Sequence, residues 1–338
     1  MTTLERGRRY DDVLRRFDQW LIPLLHSDGS LKSQELSLNA YMPLPYYAHA
    51  AGRPALAIGS LRAAEKQFVH EGAILQHENR KDWLAYTPAW LLIGAALAGE
   101  LRLCRVLQRF IQGFQDPQSG GFFGSQEDRE ARAGSIDFDS TCQSCAALCH
   151  AGNENAAMRV VTYLKHLVEV QPEPENRFFL VWDTRQGLVT EFDPARATKF
   201  AIEWSKPKQH LYKMGLLVRA FALADSVTGN HEYLNLARSL YQDTISRSPE
   251  LWMNTLAHKM TWAAVTLFDT TQNHAYLEDA CRMSDHIATL QHDEGAFRYP
   301  EFWPDYDKTT LEQRLNIGAQ FASWIALTRT RLKMSGRK

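Results

Sequence analysis

Two kinds of helical hydrophobic pattern alternate along the chain. One kind is amphipathic, as in residues 100–114, where Leu107, Phe110 and Phe114 share one face and arginines take the other. The second kind is apolar almost all round and rich in small residues, as in residues 86–98. Because a helix that is apolar on every side is buried on every side, the alternation predicts outer helices around inner ones.

The same arrangement recurs along the chain at intervals of about fifty residues, which indicates a helical repeat. Short turns that contain Gly or Asn end helices at Gly52, Gly99, Gly152, Gly229 and Asn273. Each unit is a helix, a longer loop, a second helix and a short turn. The predicted pairs are 5–25 with 33–51, 54–70 with 86–98, 100–114 with 140–151, 154–170 with 208–228, 233–246 with 254–271, and 276–291 with 311–332.

Six inner helices surrounded by six outer ones predict an all-α fold, an (α/α)6 toroid of six helical hairpins. We expect a single domain over residues 1–338, with a polar, frayed tail at 333–338. A short strand pairing is expected between 178–182 and 187–192. The alternative architecture is an open helical solenoid, in which the two end repeats do not meet.

The charge balance excludes several kinds of partner. Lys and Arg number 38 against 39 Asp and Glu, so no basic field predicts nucleic acid or an anionic membrane. The N-terminus lacks an apolar signal core, and the longest apolar stretch, 89–98, is too short for a membrane span. Five cysteines, an odd number, favour reduced thiols. We therefore expect a cytoplasmic monomer or homodimer that acts on a small-molecule substrate.

The inner helices of such a ring all begin at one end, beneath the long loops. Their N-termini direct unpaired N–H groups and a positive dipole end toward a common cavity, where we expect the function. Asp137 and Asp139 lie at the start of the third inner helix. Two carboxylates this close do not both ionise freely in a partly buried place, so one can supply a proton. The alternative is that Asp139 or Ser140 only caps the helix.

The long insertion before the fourth inner helix carries a second group of candidates. It contains Glu191 and Glu203, and His210 follows it close to the helix N-terminus, where the neutral imidazole is favoured. His258, near the start of the fifth inner helix, is predicted to face His210 across the cavity. The two rings can serve as base and acid, or each can be an ordinary core histidine.

Aromatic and polar side chains of the remaining loops are predicted to line the same cavity. Aromatic walls suit either a cationic, isoprenoid-like intermediate or a stacked sugar ring. Inward-facing Arg, Glu, Asn and His would favour the sugar, and a mainly aliphatic and aromatic wall the isoprenoid. The candidate substrate-binding residues are Glu35, Tyr41, His77, Trp83, Tyr86, Phe123, Trp182, Trp204, Trp252, Arg298 and Trp303.

Three cysteines, Cys142, Cys145 and Cys149, share one stripe of the third inner helix. One straight helix does not converge its ligands on a metal ion, so the stripe predicts apolar packing and no metal site. Cys142, nearest the cavity mouth, stays open as a catalytic thiol. The sequence contains no phosphate-binding loop, dinucleotide fingerprint or His-Glu-x-x-His motif, and we expect no cofactor.

Two motifs resemble those of known toroid enzymes. Gln115 with Gly120-Gly-Phe-Phe-Gly124 resembles the Gln-Trp type repeat of terpenoid cyclases. Asp137-Phe-Asp-Ser-Thr141 resembles the Asp-x-Asp-Asp-Thr motif of class II terpene cyclases, with Ser140 in place of the last Asp. The middle Asp of that motif is the family's general acid, and Asp139 matches it. The overall layout is also similar to six-hairpin sugar enzymes and the N-acylglucosamine 2-epimerase group.

These resemblances imply a cofactor-independent enzyme. The first expectation is an acid–base isomerase or cyclase of an apolar, isoprenoid- or polyketide-like substrate, with Asp139 as general acid and Asp137 as its neighbour. The alternative is a carbohydrate epimerase, lyase or hydrolase that uses His210 and His258 together with Glu203. A third alternative is a non-enzymatic helical-repeat scaffold, which would have no enclosed pocket.

Overall fold

A computed structural model describes residues 1–33, 35–75 and 84–335. Its α-helices are α1 (Thr3–Leu21), α2 (Leu38–Tyr41), α3 (Leu44–Ala50), α4 (Pro54–Phe68), α5 (Tyr86–Ala98), α6 (Leu101–Gln112), α7 (Gln126–Ala131), α8 (Phe138–His150), α9 (Glu154–Glu169), α10 (Ala197–Phe200), α11 (Tyr212–Thr228), α12 (His231–Arg247), α13 (Lys259–Thr271), α14 (His274–Thr289) and α15 (Leu311–Ser335). The strands are β1 (Val69–His70), β2 (Ala73–Ile74), β3 (Ser135–Ile136), β4 (Arg177–Phe179), β5 (Trp182–Asp183), β6 (Gly187–Leu188) and β7 (Ala201–Glu203).

Six helices form a closed inner ring within the described residues. Helices α3, α5, α8, α11, α13 and α15 each contact the next, and α15 returns to contact α3. The outer layer consists of α1, α4, α6, α9, α12 and α14, each of which packs on one or two inner helices. This arrangement confirms the predicted all-α ring of helix pairs. It is not the open solenoid, because the last inner helix meets the first.

The two layers bury their residues as their patterns predict. Inner helix α5 buries every residue from Tyr86 to Ala95, whereas outer helix α6 buries only one stripe that includes Leu103 and Leu107. Helix α5 ends at Gly99, whose left-handed backbone (φ 74°) closes the short turn into α6. The core therefore lies between the rings and within the inner one.

Four inner helices begin differently from the prediction, and the third differs least, starting at Phe138 rather than at 140. The first one is divided into α2 and α3, because Pro43 and Pro45 stand where a continuous helix would need backbone N–H donors. The fourth begins at Tyr212 rather than at 208, after Lys208 adopts a left-handed backbone (φ 56°). The fifth begins at Lys259 rather than at 254, because short 3₁₀ turns precede it.

The insertion between α9 and α11 contains most of the strands. Strands β5 and β6 pair antiparallel, as predicted, with Trp182 opposite Leu188. Strand β4 instead pairs with β7, so the predicted partner of residues 178–182 is only partly correct. Strand β3 joins β5 and attaches the insertion to the loop that carries Asp137.

Helix α15 continues through Ser335, so residues 333–335 are helical where a frayed tail was predicted, and residues 336–338 lie outside the described part. None of the described helices is both long enough and apolar enough to cross a membrane. The single-domain organisation stays a prediction.

Candidate active site

A cavity of about 280 Å³ lies at the end of the ring where the inner helices begin. Tyr86, Asp139, Tyr212 and Lys259 enter it from the first turns of α5, α8, α11 and α13. This is the end that the loop lengths indicate. The residues that line it are Asn39, Met42, Tyr86, Asp139, Tyr212, His258, Lys259, Tyr299, Phe302, Trp303, Glu312, Gln313, Asn316, Ile317 and Gln320.

Asp139 forms a buried ion pair in this cavity. Its Oδ1 accepts a hydrogen bond from Lys213 Nζ at 2.9 Å, and its Oδ2 accepts one from Tyr212 OH at 3.2 Å. Only 5% of the Asp139 side chain and 7% of the Lys213 side chain are exposed. Both carboxylate oxygens already accept hydrogen bonds, so these contacts give no support to a role of Asp139 as a general acid.

Lys259 is the second buried lysine in this region; unlike Lys213, it lines the cavity itself, and it has a different partner. Its Nζ donates to Tyr86 OH at 2.7 Å and lies 4.3 Å from the centre of the Tyr212 ring. Within the described residues, no carboxylate lies close enough to form an ion pair with it. Burial lowers the pKa of Lys259 from 10.5 to about 7. The charge of Lys213 also lowers this pKa, whereas the charge of Asp139 raises it. A large fraction of Lys259 is therefore a neutral amine near pH 7.

His258 is buried next to Lys259 and keeps one defined tautomer. Trp324 Nε1 donates a hydrogen bond to His258 Nδ1 at 3.0 Å, so the neutral ring carries its proton on Nε2. Burial, assisted by the charge of Lys259, lowers the pKa of His258 well below its ordinary value. The ring is a neutral hydrogen-bond donor in the cavity wall.

His210 lies at the rim rather than in the cavity wall. Its ring packs 5.5 Å from Tyr212 and 5.3 Å from Phe302, both of which line the cavity. Burial, assisted by the Lys213 charge, lowers the pKa of His210 to about 4. The Tyr212 ring lies between the two histidines, 6.0 Å from the His258 ring, so His210 does not face His258 directly.

Asp137 caps helix α8 and does not line the cavity. Its Oδ1 accepts a hydrogen bond from the backbone N–H of Ser140 at 2.7 Å, as an N-cap carboxylate does. The capping role that was considered for Asp139 or Ser140 therefore belongs to Asp137. Burial and the nearby Asp139 charge raise the pKa of Asp137.

Three of the predicted substrate-binding residues lie in the core. Tyr41 OH accepts a hydrogen bond from the backbone N–H of Leu31 at 2.9 Å, which turns the ring away from the cavity. Phe123 is fully buried, and Trp252 packs against Tyr241 with 6.4 Å between ring centres. Their large apolar surfaces fill the space between helices.

Residues of the insertion also lie outside the cavity wall. Trp182 is a half-buried residue of the β5–β6 hairpin, and Trp204 Nε1 donates to the backbone carbonyl of Pro174 at 3.0 Å. Glu203 pairs with Lys206 at 2.8 Å. The insertion thus uses these side chains to hold its own fold.

The remaining predicted residues have mixed positions. Tyr86 and Trp303 line the cavity, as the sequence predicts. Glu35 is exposed. Arg298 lines a separate surface pocket that also includes Trp303. His77 and Trp83 lie outside the described residues.

Lys213 and Lys259 were missed by the sequence analysis, although a signal exists. Tyr212-Lys-Met214 and His258-Lys-Met260 place an aromatic ring, a lysine and a methionine at the start of two neighbouring inner helices. A lysine on an otherwise fully buried helix is unusual unless it has a polar partner. The repeated triplet could have identified both residues.

Cys142 is a poor candidate for a nucleophile. It is fully buried, it does not line the cavity, and burial raises the pKa of its thiol well above the ordinary value. The described residues contain no group of three or more His, Cys, Asp or Glu side chains that could hold a metal ion.

No protein-family profile and no curated protein matches the sequence, but solved structures do. An α-mannanase of glycoside hydrolase family 76 from Bacteroides thetaiotaomicron has a TM-score of 0.69 at 14% identity, over 98% of this chain and 97% of its own. A D-mannose isomerase has a TM-score of 0.64 at 12% identity, over 93% and 96%. A type II terpene cyclase from Scytonema has a TM-score of 0.58 at 12% identity, over 97% and 99%.

The chain is an α/α toroid. Each of the three matches extends over nearly the whole of both chains, so the likeness includes the complete ring. At these identities the likeness shows the fold alone, and the three neighbours carry different chemistries. The activity of this toroid has to be argued from its own cavity.

Proposed function

We propose that this toroid is a cofactor-independent sugar isomerase or epimerase. The supporting observation is a pair of buried polar atoms in the cavity wall, Tyr299 OH and Gln320 Oε1, that have no hydrogen-bond partner among the described residues. Unpaired buried polar atoms are unfavourable unless a ligand or an ordered water bonds to them. The hydroxyl groups of a sugar meet this need, and a hydrocarbon does not.

The rest of the wall also favours a polar substrate. Asn39, Glu312 and Asn316 line the same side, next to Gln320, whose Nε2 donates to Asn316 Oδ1 at 2.8 Å. Phe302 and Trp303 offer aromatic faces on which a sugar ring can stack. This combination supports the carbohydrate alternative over the first expectation of an isoprenoid substrate.

In the proposed reaction, Lys259 removes a proton from the carbon next to the sugar carbonyl. A general base works best when its pKa lies near the operating pH, and the pKa of Lys259 is about 7. His210, with a pKa of about 4, is a much weaker base. Tyr86, which accepts the hydrogen bond of Lys259, orients the amine.

His258 and Asp139 have supporting roles in this proposal. The Nε2–H of neutral His258 donates to the carbonyl oxygen and stabilises the negative charge that develops when the proton leaves. A neutral imidazole suits this task, because it donates without competing for the proton. Asp139 fixes Tyr212 and Lys213 through its two oxygens.

A glycoside hydrolase is the second candidate, because an α-mannanase shares the fold. Hydrolysis of this kind uses two carboxyl groups, one of which holds a proton. Asp137 has a raised pKa and could supply that proton, but it caps α8 and does not line the cavity. The two acids that line the cavity within the described part of the chain already have partners: Lys213 for Asp139 and Ser37 for Glu312.

Solvent exchange distinguishes the two candidates. The purified protein is incubated in D₂O with D-mannose and a panel of other aldoses and ketoses, and proton NMR follows the hydrogen next to the carbonyl. An isomerase or epimerase replaces that hydrogen with deuterium and forms a new sugar. The rate should rise with pH through about 7, as Lys259 loses its proton.

Two variants test the assignment. Lys259→Met should abolish exchange, and Tyr86→Phe should reduce it by about tenfold to a hundredfold by leaving the amine without its hydrogen-bond partner. No exchange with any sugar, together with release of reducing ends from an α-mannan, would reject the isomerase and favour the hydrolase.

A further inference from the structure

A second cavity, of about 400 Å³, lies at the opposite end of the ring, where the inner helices end. An aromatic cluster of Tyr46, Trp90, Trp262 and Trp324 fills the centre of the ring between the two cavities, with Trp262 and Trp324 4.7 Å apart. Trp324 donates a hydrogen bond to His258, which lines the first cavity, and Trp262 lines the second cavity. The two cavities are therefore distinct.

Arg219, in the middle of α11, lines the second cavity and is only 2% exposed. Its guanidinium carbon lies 3.5 Å from the centre of the Trp262 ring, and Nη2 lies 2.9 Å from His150 Nε2. Its Nε and Nη1 have no hydrogen-bond partner among the described residues. A planar donor group is thus held in place with at least three of its five N–H donors unused.

The charge of Arg219 is not compensated by its neighbours. Among the described residues, the cavity lining has one carboxylate, Asp269, which already forms a two-point ion pair with Arg331 at 2.6 and 3.0 Å. Burial, together with the positive charge of Arg219, lowers the pKa of His150 to about 3. Burial, together with the positive charge of Arg331, lowers the pKa of His49. Burial lowers the pKa of Arg219 only to about 10, so the guanidinium stays charged near pH 7.

We propose that the second cavity binds a small oxyanion, a carboxylate or a phosphate, through the guanidinium of Arg219. An uncompensated buried cation is strongly unfavourable, and an anion that enters the cavity removes that penalty. The unused Nε and Nη1 groups can each donate a charge-assisted hydrogen bond to an oxygen of a carboxylate or phosphate. Trp262 holds the guanidinium from one face. This proposal is independent of the sugar chemistry at the other end.

Calorimetric titration of the full chain with inorganic phosphate, and separately with acetate, tests the proposal. Chloride keeps the ionic strength constant, and the thermal midpoint is measured in parallel, because a ligand of the folded state raises it in a saturable manner. A response to one anion identifies its class, and a response to both identifies a general oxyanion site. The absence of saturable binding of either anion overturns the proposal.

Variants locate the bound anion. Arg219→Gln should weaken binding about tenfold or more, as expected for the loss of charge-assisted hydrogen bonds. Asp269→Asn leaves Arg219 in place and removes a negative charge that repels the anion, so binding should become tighter. This variant tests the proposal even if Arg219→Gln does not fold. Lys259→Met, in the other cavity, and the exposed Arg102→Gln should bind as the wild type does. Binding that responds to Lys259→Met, or not to Asp269→Asn, overturns the assignment.

Discussion

Lys213 and Lys259 occupy corresponding positions at the start of neighbouring inner helices, yet their environments differ. Lys213 has the carboxylate of Asp139 at 2.9 Å, whereas Lys259 has the phenol oxygen of Tyr86 at 2.7 Å. A nearby opposite charge stabilises an ammonium in a buried place, and a neutral hydroxyl does so far less. The choice of partner therefore leaves Lys213 in an ion pair and Lys259 without one among the described residues.

The pH dependence of stability tests the neutral state of Lys259 without any assumption about substrate. Its pKa falls from 10.5 in the unfolded chain to about 7 in the fold, so between these values the unfolded chain binds the extra proton. The free energy of unfolding should then rise with pH in the wild type, relative to Lys259→Met. Chemical denaturation at pH 6 and pH 9 measures this difference.

The exposed Lys32→Met serves as the control for removing a positive charge. If Lys259→Met differs from the wild type by the same free energy at both pH values, Lys259 is charged in the fold and cannot be the base.

At the scale of secondary-structure elements, the site depends on how closely two inner helices approach. Gly215 of α11 packs directly on the start of α13. A Cβ at this position would lie 2.4 Å from the carbonyl carbon of Lys259 and 2.7 Å from the backbone N of Met260. Glycine here lets the first turns of α11 and α13 approach closely, which places Tyr212 and Lys259 in the same cavity wall.

Gly215→Ala should therefore destabilise the protein by about 1–3 kcal/mol, because the added methyl meets rigid backbone and forces α11 and α13 apart. It should also reduce sugar turnover through displacement of Lys259. Thermal unfolding and the exchange assay measure the two effects. Gly7→Ala in α1 is the matched control, since nothing lies within 4 Å of its Cβ, and it should stabilise by about 0.5–1 kcal/mol. Equal effects of the two changes would contradict the close approach.

At the scale of the whole molecule, the ring closes where the first and last helix pairs meet. Phe17 of α1 is fully buried there, 5.0 Å from the Tyr47 ring and 5.7 Å from the Phe297 ring. Its ring also lies against Gly318 of α15. In an open solenoid this position would belong to an end repeat and would unfold separately.

Phe17→Ala should destabilise the protein by about 3–5 kcal/mol, the usual loss for a fully buried phenylalanine. Because the ring is closed, we expect one shared unfolding transition by helical circular dichroism and by tryptophan fluorescence. Leu101→Ala, at an exposed position, should change stability by less than about 0.5 kcal/mol. Separate transitions for the two signals in Phe17→Ala would indicate that the ends of the ring unfold independently.

The sequence by itself determined the helices, their pairing and the end of the ring that holds the candidate site. These features follow from local pattern: a stripe or a full circle of apolar residues fixes the layer of each helix, and loop length fixes the functional end. Tyr86, Asp139 and His258 were found in this way, because each stands at the start of an inner helix. The residues at which helices begin were predicted less accurately, because Pro43 and the turns before α13 shift a helix start through a few local residues.

Only the tertiary structure decided which side chains meet. The ion-pair partner of Asp139 is Lys213, 74 residues away, and the tautomer of His258 depends on Trp324, 66 residues away. Likewise, Trp182 and Trp252 are of a residue type that commonly lines binding sites, but both pack against other residues outside the cavity wall. Hydrophobic periodicity predicts which face of a helix is buried. The pKa values and contacts of the side chains on that face depend on residues that are distant in sequence and come close only when the ring closes.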